Sequence, residues 1–537
     1  MKKLFVSIIL VSQVALMLNS CKKDDDVAVS GVELDKSTLT LKVGETSNLT
    51  ANVRPSDANI KSVSWSSSDI TIAAVDNEGT IVGIKIGSAT ITATSKDGDK
   101  TATCSVTVIQ AGNQKEIQGE IKGTRNFVAD SVYLLKGFVY VIDGATLNIA
   151  PGTIIKGDKA TMGSLIVERG GTINAIGTSV NPIVFTSNQP VGGRTYGDWG
   201  GVIICGKATI NQTGGTSQVE GGPRSIYGGG ATPNDADNSG TLKYVRIEYA
   251  GYPFQPDKEI NGLSFCGVGS GTTIDYVQVS YANDDSFEWF GGKVNCKHLI
   301  AFRGLDDEFD TDNGYSGNLQ YLIGLRDYRK ADVSGSNGFE SDNDANGSGN
   351  TPITSPVFSN VTLIGPLDTT NKSSYSADFK RALHLRRNTK LSVYNSVFAG
   401  WPTGLYLDGS NTWANAQNSD LQMKNCALVG MQSNYGAPAG GSFNATDVQN
   451  WFTDVSRNNS VIIGPVKAKI KGAFLTTNEA LAPVLLPLAN SPLLSGADFN
   501  DTKISSAFFN QTLFIGAFGT EDWTAGWANW NPQQTAY

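Results

Sequence analysis

Histidine is scarce in this chain, with only His298 and His384 among 537 residues. An imidazole-based zinc site needs several convergent histidines, and a Ser-His-Asp triad needs a histidine beside a positioned serine. We therefore expect neither kind of site. Cysteine is scarce too, and the cysteines other than Cys21 occupy apolar strand positions: Cys104, Cys205, Cys266, Cys296 and Cys426. Their odd number predicts buried thiols rather than a disulfide framework, and it leaves room for one pair.

Positive charge is also in deficit. The formal net charge is −8, and it becomes −10 when the first twenty residues, which contain Lys2 and Lys3 but no acid, are removed. Binding to nucleic-acid phosphates needs clustered lysine and arginine, which this sequence does not show. We therefore expect no nucleic-acid partner.

The apolar run near the N-terminus is too short for a membrane-spanning helix. Two lysines precede an apolar stretch from Leu4 to Leu18, a pattern typical of a secretory signal peptide. The next residues, Leu18-Asn19-Ser20-Cys21, resemble a bacterial lipobox. The resemblance implies a signal peptide over residues 1–20 and acylation of Cys21, and the alternative is a plain signal peptide with an incidental cysteine.

Residues 21–28 form a hydrophilic tether after the proposed cleavage point. Its sequence, Lys22-Lys23-Asp24-Asp25-Asp26, is similar to the acidic export signal of surface lipoproteins of the Bacteroidetes. The resemblance implies a lipid-anchored protein on the outer face of the outer membrane. A simple soluble spacer would have comparable chemistry and remains the alternative.

Residues 29–110 contain short alternating apolar and polar runs separated by glycine-containing turns, which predict an all-β sandwich. Four segments resemble the bacterial Ig-like group 2 domain: Leu41-Lys-Val-Gly-Glu45, Val63-Ser-Trp-Ser-Ser-Ser-Asp69, Gly79-Thr-Ile-Val-Gly83 and Gly87-Ser-Ala-Thr-Ile-Thr-Ala93. The resemblance implies a spacer or an adhesion module, and the fold alone does not choose between them.

A short pattern returns five times between Ser286 and Gly409. Its apolar centres are Phe287, Phe309, Phe339, Leu383 and Leu405, and the first two, like the last two, are 22 residues apart. Gly/Asn/Ser-rich insertions lengthen the middle steps. A repeat of this length with short strands and no helical period predicts a solenoid, in which each turn buries its apolar face against its neighbours.

The region from 116 to 537 resembles the right-handed parallel β-helix proteins encoded as surface lipoproteins in Bacteroidetes, most strongly at 282–325 and in the final Trp-rich segment. The predicted fold is all-β, with an N-terminal Ig-like β-sandwich followed by a right-handed parallel β-helix solenoid. A solenoid exposes its core at each end, so the Trp-rich segment is interpreted as a C-terminal cap. A sugar-stacking platform is the alternative for its rings, Trp523, Trp527 and Trp530. The Gly-rich stretch 220–240 is predicted to be a surface loop without a core.

Strand side chains alternate between faces, so residues beside the inward apolar column point outward. One outward column reads Glu288, Asp310, Glu340, His384 and Tyr406, and a second, two residues on, reads Phe290, Asp312, Asp342, Arg386 and Asp408. Carboxylates about 5 Å apart repel by about 3 kcal/mol at an effective dielectric constant near 20. The stack therefore requires a cation, raised pKa values or ample water.

These carboxylates suggest a metal site. Calcium takes six to eight oxygen ligands from such groups, and the candidate ligands are Asp284, Asp285, Asp306, Asp307, Asp310, Asp312 and Asp342. The alternative is a solvated acidic face whose Asp, Asn and Gly residues form turns.

The same face is predicted to bind an extracellular ligand, most simply a polysaccharide, with aromatic rings stacking on sugars. The predicted ligand-binding residues are Glu288, Trp289, Phe290, Asp310, Asp312, Tyr315, Glu340, Asp342, His384, Arg386, Tyr406 and Asp408.

Two other functions remain open, a polysaccharide lyase or glycoside hydrolase on the same face and a structural adhesin. The candidate catalytic residues are Glu288, Asp310, Glu340, His384 and Arg386. The Asp-Asp pairs resemble those of β-helical polygalacturonases, but the Gly-His-Gly and Arg-Ile-Lys segments of that family are absent.

Overall fold

The computed structural model describes residues 26–109, 114–254, 259–367, 375–470 and 482–537. The chain divides into two compact units, residues 1–109 and 110–537. Within the described ranges, no helix has the length and apolar character needed to cross a bilayer. Cys21 and the beginning of the tether, on which the predicted lipid anchor depends, lie outside the described residues.

The first unit is an Ig-like sandwich, as predicted. Between residues 26 and 109 it contains nine strands, in sheets of four, three and two: Gly31–Leu34, Thr38–Lys42, Thr46–Asn48, Ala51–Arg54, Val63–Ser67, Ala73–Val75, Thr80–Gly83, Gly87–Ser95 and Thr101–Ile109. Alternation puts every second side chain of the longest strands inside, so that Ile91, Cys104 and Val106 are fully buried in one core.

The second unit is a parallel β-helix, which confirms the predicted class. Twenty-six strands in its described part join one sheet, and equivalent strands of successive turns pair in parallel. The pairing defines three walls. The first wall consists mainly of Ser164–Val167, Val202–Cys205, Leu263–Val268, Phe287–Gly292, Phe309–Asp312, Phe339–Ser341, Arg381–Leu385, Thr403–Leu407 and Ser433–Gly436.

Five long strands bend across the second and third walls: Gly240–Glu248, Thr273–Ser280, Asn295–Phe302, Asn318–Leu325 and Val357–Ile364. Separate strands on the second wall are Thr124–Phe127, Thr146–Ile149, Thr172–Ile176, Ser392–Tyr394 and Met423–Lys424. Those on the third wall are Ile154–Gly157, Ile183–Ser187, Val397–Ala399, Ala427–Val429 and Ser460–Ile462. The first turns use Gln114–Ile121 and Val132–Val141, which bend between the third and first walls.

Helices are few and short in the described residues. The α-helices are Ser410–Gln417, Ala445–Phe452 and Pro465–Ala468, and the 3-10 turns are Lys159–Thr161, Thr213–Gly215, Val455–Arg457, Pro492–Leu494 and Pro532–Gln534. The helix Ala445–Phe452 begins with a capping box between Asn444 and Asp447. It packs Val448 and Phe452 against the last turns of the first wall.

The inward apolar column has the predicted register. Strand pairing places Phe287 beside Phe309 and Phe309 beside Phe339, with ring centroids 5.7 and 5.5 Å apart. Leu383 and Leu405 continue the column, and all five side chains are fully buried. Burying such a side chain stabilises the fold by about 1.5 to 3 kcal/mol, so this column anchors the turns that carry the outward acidic residues.

The corner between the second and third walls uses the left-handed backbone region. In the later turns it falls on Asn360, Asn395 and Asn425, each with φ between 50° and 55°. Asparagine tolerates this conformation because its short polar side chain bonds locally. In earlier turns Tyr276 and His298 occupy the same corner, and their stacked rings lie 4.2 Å apart.

The C-terminal strap, residues 482–537, runs along the side of the β-helix, and its Trp-rich part packs there rather than at an end, which corrects the predicted cap. Side-chain amides from different turns hold its backbone, and each amide both accepts from and donates to one strap residue. Gln320 accepts from the Asn510 amide at 2.8 Å and donates to the Asn510 carbonyl at 2.7 Å. Gln278 holds Asn529 in the same way, with both distances 2.8 Å.

The three tryptophans of the strap pack against the β-helix. Trp527 is 1% exposed and meets the Tyr276 ring edge-on at 5.8 Å, while Trp530 meets Phe302 at 5.1 Å. Trp523 meets His298 at 5.0 Å. Trp523 and Trp527 therefore fasten the strap to the corner column, the stack of residues at the corner between the second and third walls that includes Tyr276 and His298. Trp530 fastens it to Phe302 on the third wall.

The Gly-rich stretch around 220–240 also differs from the prediction. It belongs to an insertion, residues 206–239, that folds back onto the outer face of the first wall and carries a hairpin of Ser217–Gln218 and Ile226–Tyr227. Val219 and Tyr227 are buried there against Phe290 and other side chains of the wall. The prediction relied on the high glycine content and did not take account of Val219 and Tyr227, which anchor the insertion.

We expect Trp527→Ala to lower the free energy of unfolding of the β-helix by about 3 to 5 kcal/mol, because it removes a large buried ring. Urea unfolding followed by tryptophan fluorescence and circular dichroism measures the change. Leu513→Ala, at a strap position that is 79% exposed, is the control and should change little. Equal effects of the two variants would contradict the packing described for the strap.

Candidate functional site

The outward column has the predicted register on the first wall. Parallel pairing places Glu288 opposite Asp310, Asp310 opposite Glu340, Glu340 opposite His384 and His384 opposite Tyr406. Equivalent residues of neighbouring strands lie about 4.8 Å apart. Residues 118 positions apart in sequence therefore share one surface.

The turns that lead into the first wall bring further carboxylates to this surface. In two of these turns, one carboxylate accepts a hydrogen bond from a backbone amide of the next turn and so links the two turns. Asp285 accepts a hydrogen bond from the Asp307 amide at 2.9 Å, and Asp307 accepts one from the Asn337 amide at 2.5 Å. Asp284 and Asp306, which directly precede Asp285 and Asp307, line a cavity at this surface. The repeated Asp-Asp pair thus combines a structural residue with a second carboxylate.

These turns and strands enclose an acidic cavity of about 280 Å³. The acidic cavity is lined, among the described residues, by nine carboxylates: Glu220, Glu259, Asp284, Asp285, Glu288, Asp306, Asp307, Asp310 and Glu340. Arg386 reaches its rim. Charge of one sign at this density is the chief electrostatic feature of the site.

Two groups of carboxylates are close enough to share a metal ion. Asp284, Asp285 and Asp306 form one group, and Asp285, Glu288 and Asp310 form the other, with all ligand atoms of a group within 4.8 Å of one another. Asp285 belongs to both groups. Four of the residues predicted as metal ligands are therefore brought together, and Glu288, predicted as a ligand-binding and candidate catalytic residue, joins them.

Burial raises the pKa values of these carboxyl groups. The pKa of Asp310 lies well above its usual value because of burial and the nearby charge of Glu340. Burial and the charge of Asp310 raise the pKa of Glu288 in the same way. Burial and the charge of Asp332 raise the pKa of Asp306 to about 6.

Hydrogen bonds compensate only part of this crowding. Glu288, which is 8% exposed, accepts a hydrogen bond from the side-chain amide of Asn261. The Oδ1 atom of Asp310 is buried and has no hydrogen-bond partner. A buried unpaired oxygen is costly, and oxygen donors of this kind are those that calcium prefers. The residues present therefore fit a hard divalent cation.

The far end of the column is neutralised by arginine. Arg386 pairs with Glu340, and its Nε donates to Asp342 at 2.8 Å, while Arg387 donates to the other Asp342 oxygen at 2.7 Å. His384 lies 3.1 Å from Glu340 and 3.4 Å from Asp408. Burial alone would raise the pKa of Glu340, but the hydrogen bond from His384 and the charge of Arg386 hold it below its usual value.

Two predicted ligand-binding residues point into the core. Trp289 is fully buried and stacks on Phe265 at 5.5 Å, because it lies two positions after Phe287 and shares its inward face. Tyr315 is also fully buried, stacks on Trp289 and donates its hydroxyl to the Val294 carbonyl at 2.7 Å. Neither ring can meet a ligand on the outer face.

Three predicted metal ligands lie outside the two groups. Both oxygens of Asp342 are bound by arginine. Asp307 lines the acidic cavity, but its oxygens accept hydrogen bonds from Asn337. Asp312 lines a neighbouring cavity, and burial and the charge of Asp342 raise its pKa to about 7.

Sequence reasoning missed Glu220 and Glu259, which line the acidic cavity from outside the repeat. Glu220 lies in the hairpin insertion. Glu259 lies four residues before the first-wall strand Leu263–Val268. Neither has a counterpart in the repeat at 22-residue spacing, so periodicity carries no signal for them. Only the folding of the insertion onto the wall brings them to the site.

The fold and the site together define a parallel β-helix protein with a carboxylate-lined cavity on one wall. Residues 119–462 match the family described as the pectate-lyase-like β-helix domain, and residues 28–106 match the bacterial Ig-like domain (group 2). The first match covers more than half of the chain. The chain therefore belongs to the pectate-lyase-like β-helix family.

The curated relatives match over short segments. An uncharacterized protein of Clostridium acetobutylicum is 46% identical over 81 residues, 15% of this chain and 20% of that protein. An α-L-arabinofuranosidase of Bifidobacterium longum subsp. longum is 48% identical over 82 residues, 15% of this chain and 8% of that protein. The chain thus spans a fifth or less of these relatives' lengths. Among solved structures, pectate lyase Pel9A matches with a TM-score of 0.34 and 12% identity, over 76% of this chain and 97% of Pel9A.

In the chelator-treated protein, we expect the free energy of unfolding to fall as pH rises from about 5 to about 8. A carboxyl group with a raised folded-state pKa stabilises the fold below its unfolded pKa, and this stability is lost as pH rises through the folded pKa, about 6 for Asp306. Asp306→Asn should remove about 1.4 kcal/mol of the decline, the equivalent of the one pH unit between about 5 and the folded-state pKa. Urea unfolding at each pH measures it. The exposed Asp130→Asn is the control, and equal pH dependence in both variants would contradict the proposed charge crowding.

Proposed function

We propose that this chain is a cell-surface lipoprotein, anchored in the outer membrane through acylated Cys21, that binds an extracellular polysaccharide through divalent cations held in the acidic cavity. Calcium is the proposed cation. The observation that carries the proposal is the convergence of nine carboxylates on one cavity, including a buried Asp310 oxygen without a hydrogen-bond partner.

The two carboxylate groups are suited to hard cations. Asp284 and Asp306 complete one group and Glu288 and Asp310 the other, with Asp285 between them. Bound calcium would supply positive charge to a cavity whose described lining contains nine carboxylates and, as its basic residue, Arg386. Calcium takes six to eight oxygen ligands. The three carboxylates of either group provide three if each binds through one oxygen. Coordination positions therefore remain for the hydroxyl or carboxylate oxygens of a sugar.

Three observations support a carbohydrate ligand at the cell surface. The β-helix belongs to a family described as pectate-lyase like. Two proteins that share a segment of 82 to 95 residues with this chain are named as arabinofuranosidases. The N-terminal lipobox and acidic tether resemble those of exported lipoproteins, which would place the cavity outside the cell.

Binding is proposed in preference to cleavage because the two arginines described nearest the cavity, Arg386 and Arg326, are engaged in ion pairs. Arg386 pairs with Glu340 and Asp342, and their negative charges keep its pKa above the usual value despite burial. Arg326 is buried behind the turn and pairs with Glu308 at 2.9 Å. Neither guanidinium is placed to accept a proton, as a lyase base must.

We expect calcium to bind the full mature chain and to stabilise it, by about 2.7 kcal/mol when its concentration is 100 times the Kd. Asp310→Asn should weaken calcium binding at least about tenfold, because it removes a charged ligand from a buried site. Isothermal titration with calcium chloride and urea unfolding with and without calcium measure both effects. Asp130→Asn is the matched control, since this Asp is exposed and remote from the cavity.

Retention of the same proteins on a panel of immobilised polysaccharides tests the ligand. We expect retention that requires calcium and is lost in Asp310→Asn but not in Asp130→Asn. Retention unchanged by chelator would contradict the cation-mediated binding. Release of soluble sugar from the panel would instead indicate an enzyme, and stabilisation by calcium without retention of any glycan would indicate a structural adhesin.

A further inference from the structure

A second cavity, of about 450 Å³, lies beside the acidic cavity on the outer face of the first wall. We refer to it as the amphipathic cavity. Its floor is formed by Phe290 and Asp312, which face each other in register on neighbouring strands. Its roof is the hairpin insertion, which contributes Val219 and Tyr227. Ala345, from a later insertion, closes one side.

The lining combines aromatic surface with hydrogen-bonding groups. The Phe290 and Tyr227 rings lie 6.1 Å apart at an angle of 45°. Asn313 donates to the Tyr227 hydroxyl at 3.3 Å and accepts from Gln212. An apolar lining beside a few fixed polar groups is typical of small-ligand sites, and a volume of 450 Å³ is within their usual range of about 300 to 1,000 Å³.

The two insertions that shape this cavity are tied to each other. Asn211, in the first insertion, donates to the Asn343 carbonyl at 2.7 Å and to the Asn343 side-chain oxygen at 3.0 Å. Asn343 is fully buried and also donates to the Ser348 carbonyl at 3.0 Å. The walls of the cavity are therefore held by buried hydrogen bonds, so its shape is formed in advance of any ligand.

The amphipathic and acidic cavities are adjacent on the first wall. Glu220 lines both of them. Asp310 lines the acidic cavity and Asp312 the amphipathic one, and these residues are two positions apart on one strand, a spacing of about 6.6 Å. A chain of linked sugar rings could therefore place one ring in each cavity.

We propose that the ligand is a glycan of at least two rings, of which one binds to cations in the acidic cavity while its neighbour, an uncharged ring, occupies the amphipathic cavity. This inference rests on the proposed function and specifies its substrate class. Sugar rings present apolar faces to aromatic side chains and hydroxyls to amides and carboxylates.

The charge of the lining explains why the second ring is uncharged. The described residues around the amphipathic cavity include two carboxylates, Asp312 and Glu220, and neither arginine nor lysine. The two groups that could share a metal ion both lie on the acidic side. A uronate here would face repulsion from both carboxylates, whereas hydroxyl or acetamido groups would donate hydrogen bonds to them.

Three tetrasaccharides distinguish these ligand classes, each titrated into the calcium-loaded full mature chain. The first is a hyaluronan tetrasaccharide, in which glucuronate alternates with uncharged N-acetylglucosamine. The second is tetragalacturonate, in which every ring is charged, and the third is cellotetraose, in which none is. We expect the alternating tetrasaccharide to bind at least tenfold more tightly than either of the others.

Ala345→Trp tests the cavity directly. Ala345 is exposed, so the larger ring can fill the amphipathic cavity without disturbing the core. We expect it to weaken binding of the alternating tetrasaccharide at least tenfold and to leave the affinity for calcium alone unchanged. Ala507→Trp, at an exposed position on the strap, is the matched control and should bind both normally.

The outcomes separate the two proposals. Normal binding of the alternating tetrasaccharide by Ala345→Trp, or tighter binding of tetragalacturonate by the unmodified chain, would overturn the two-cavity inference while leaving cation-mediated glycan binding in place. Failure of all three tetrasaccharides and of the polysaccharide panel to bind, with calcium bound, would overturn the proposed function together with this inference.

Discussion

Parallel pairing between successive turns sets equivalent side chains about 4.8 Å apart, and this spacing has opposite consequences on the two faces of the first wall. Inside, it stacks Phe287, Phe309 and Phe339 at favourable ring distances. Outside, it holds Glu288, Asp310 and Glu340 at a distance where ionised carboxylates repel one another. The inward stack stabilises an arrangement that the outward column alone would disfavour.

The acidic column is neutralised unevenly along its length. Beyond Glu340, Arg386 and Arg387 bind the carboxylates directly and close that end of the column. Around Glu288 and Asp310, the described lining has Arg386 at its rim, and burial raises the pKa values instead. Among the described residues, the part of the column with the least compensating positive charge is therefore the part that encloses a cavity. Such an imbalance is characteristic of functional sites, where electrostatic strain is retained for a ligand.

Segments outside the repeat make the surfaces of the β-helix differ from one another. The hairpin insertion adds Val219, Glu220 and Tyr227 over the outer face, which converts a flat sheet into two adjacent cavities. On another side, the strap covers the corner column through paired amide hydrogen bonds from Gln278 and Gln320. The bare β-helix is thus a regular scaffold, and its additions distinguish one side from another.

The sequence by itself determined the two units, the solenoid and the register of its columns. These follow from local periodicity, because a strand alternates faces every residue and a turn repeats its apolar centre, as Phe287 and Phe309 show. The same alternation places Trp289 inside. The sequence interpretation was wrong there, because it chose Trp289 for its aromatic ring and did not apply the alternation that turns this ring inward. Carboxylates inside the repeat, such as Asp285 and Asp310, were found because periodicity reports them.

Only the tertiary structure decided which carboxylates meet in a cavity, that Glu220 and Glu259 join them, and that the Trp-rich segment lies along the side. These features depend on where insertions and the strap dock. Docking is governed by a few buried contacts between residues far apart in sequence, such as Gln278 with Asn529 and Tyr227 with Phe290. No local pattern encodes such contacts, because neither partner repeats and each is meaningful only when the other is in place.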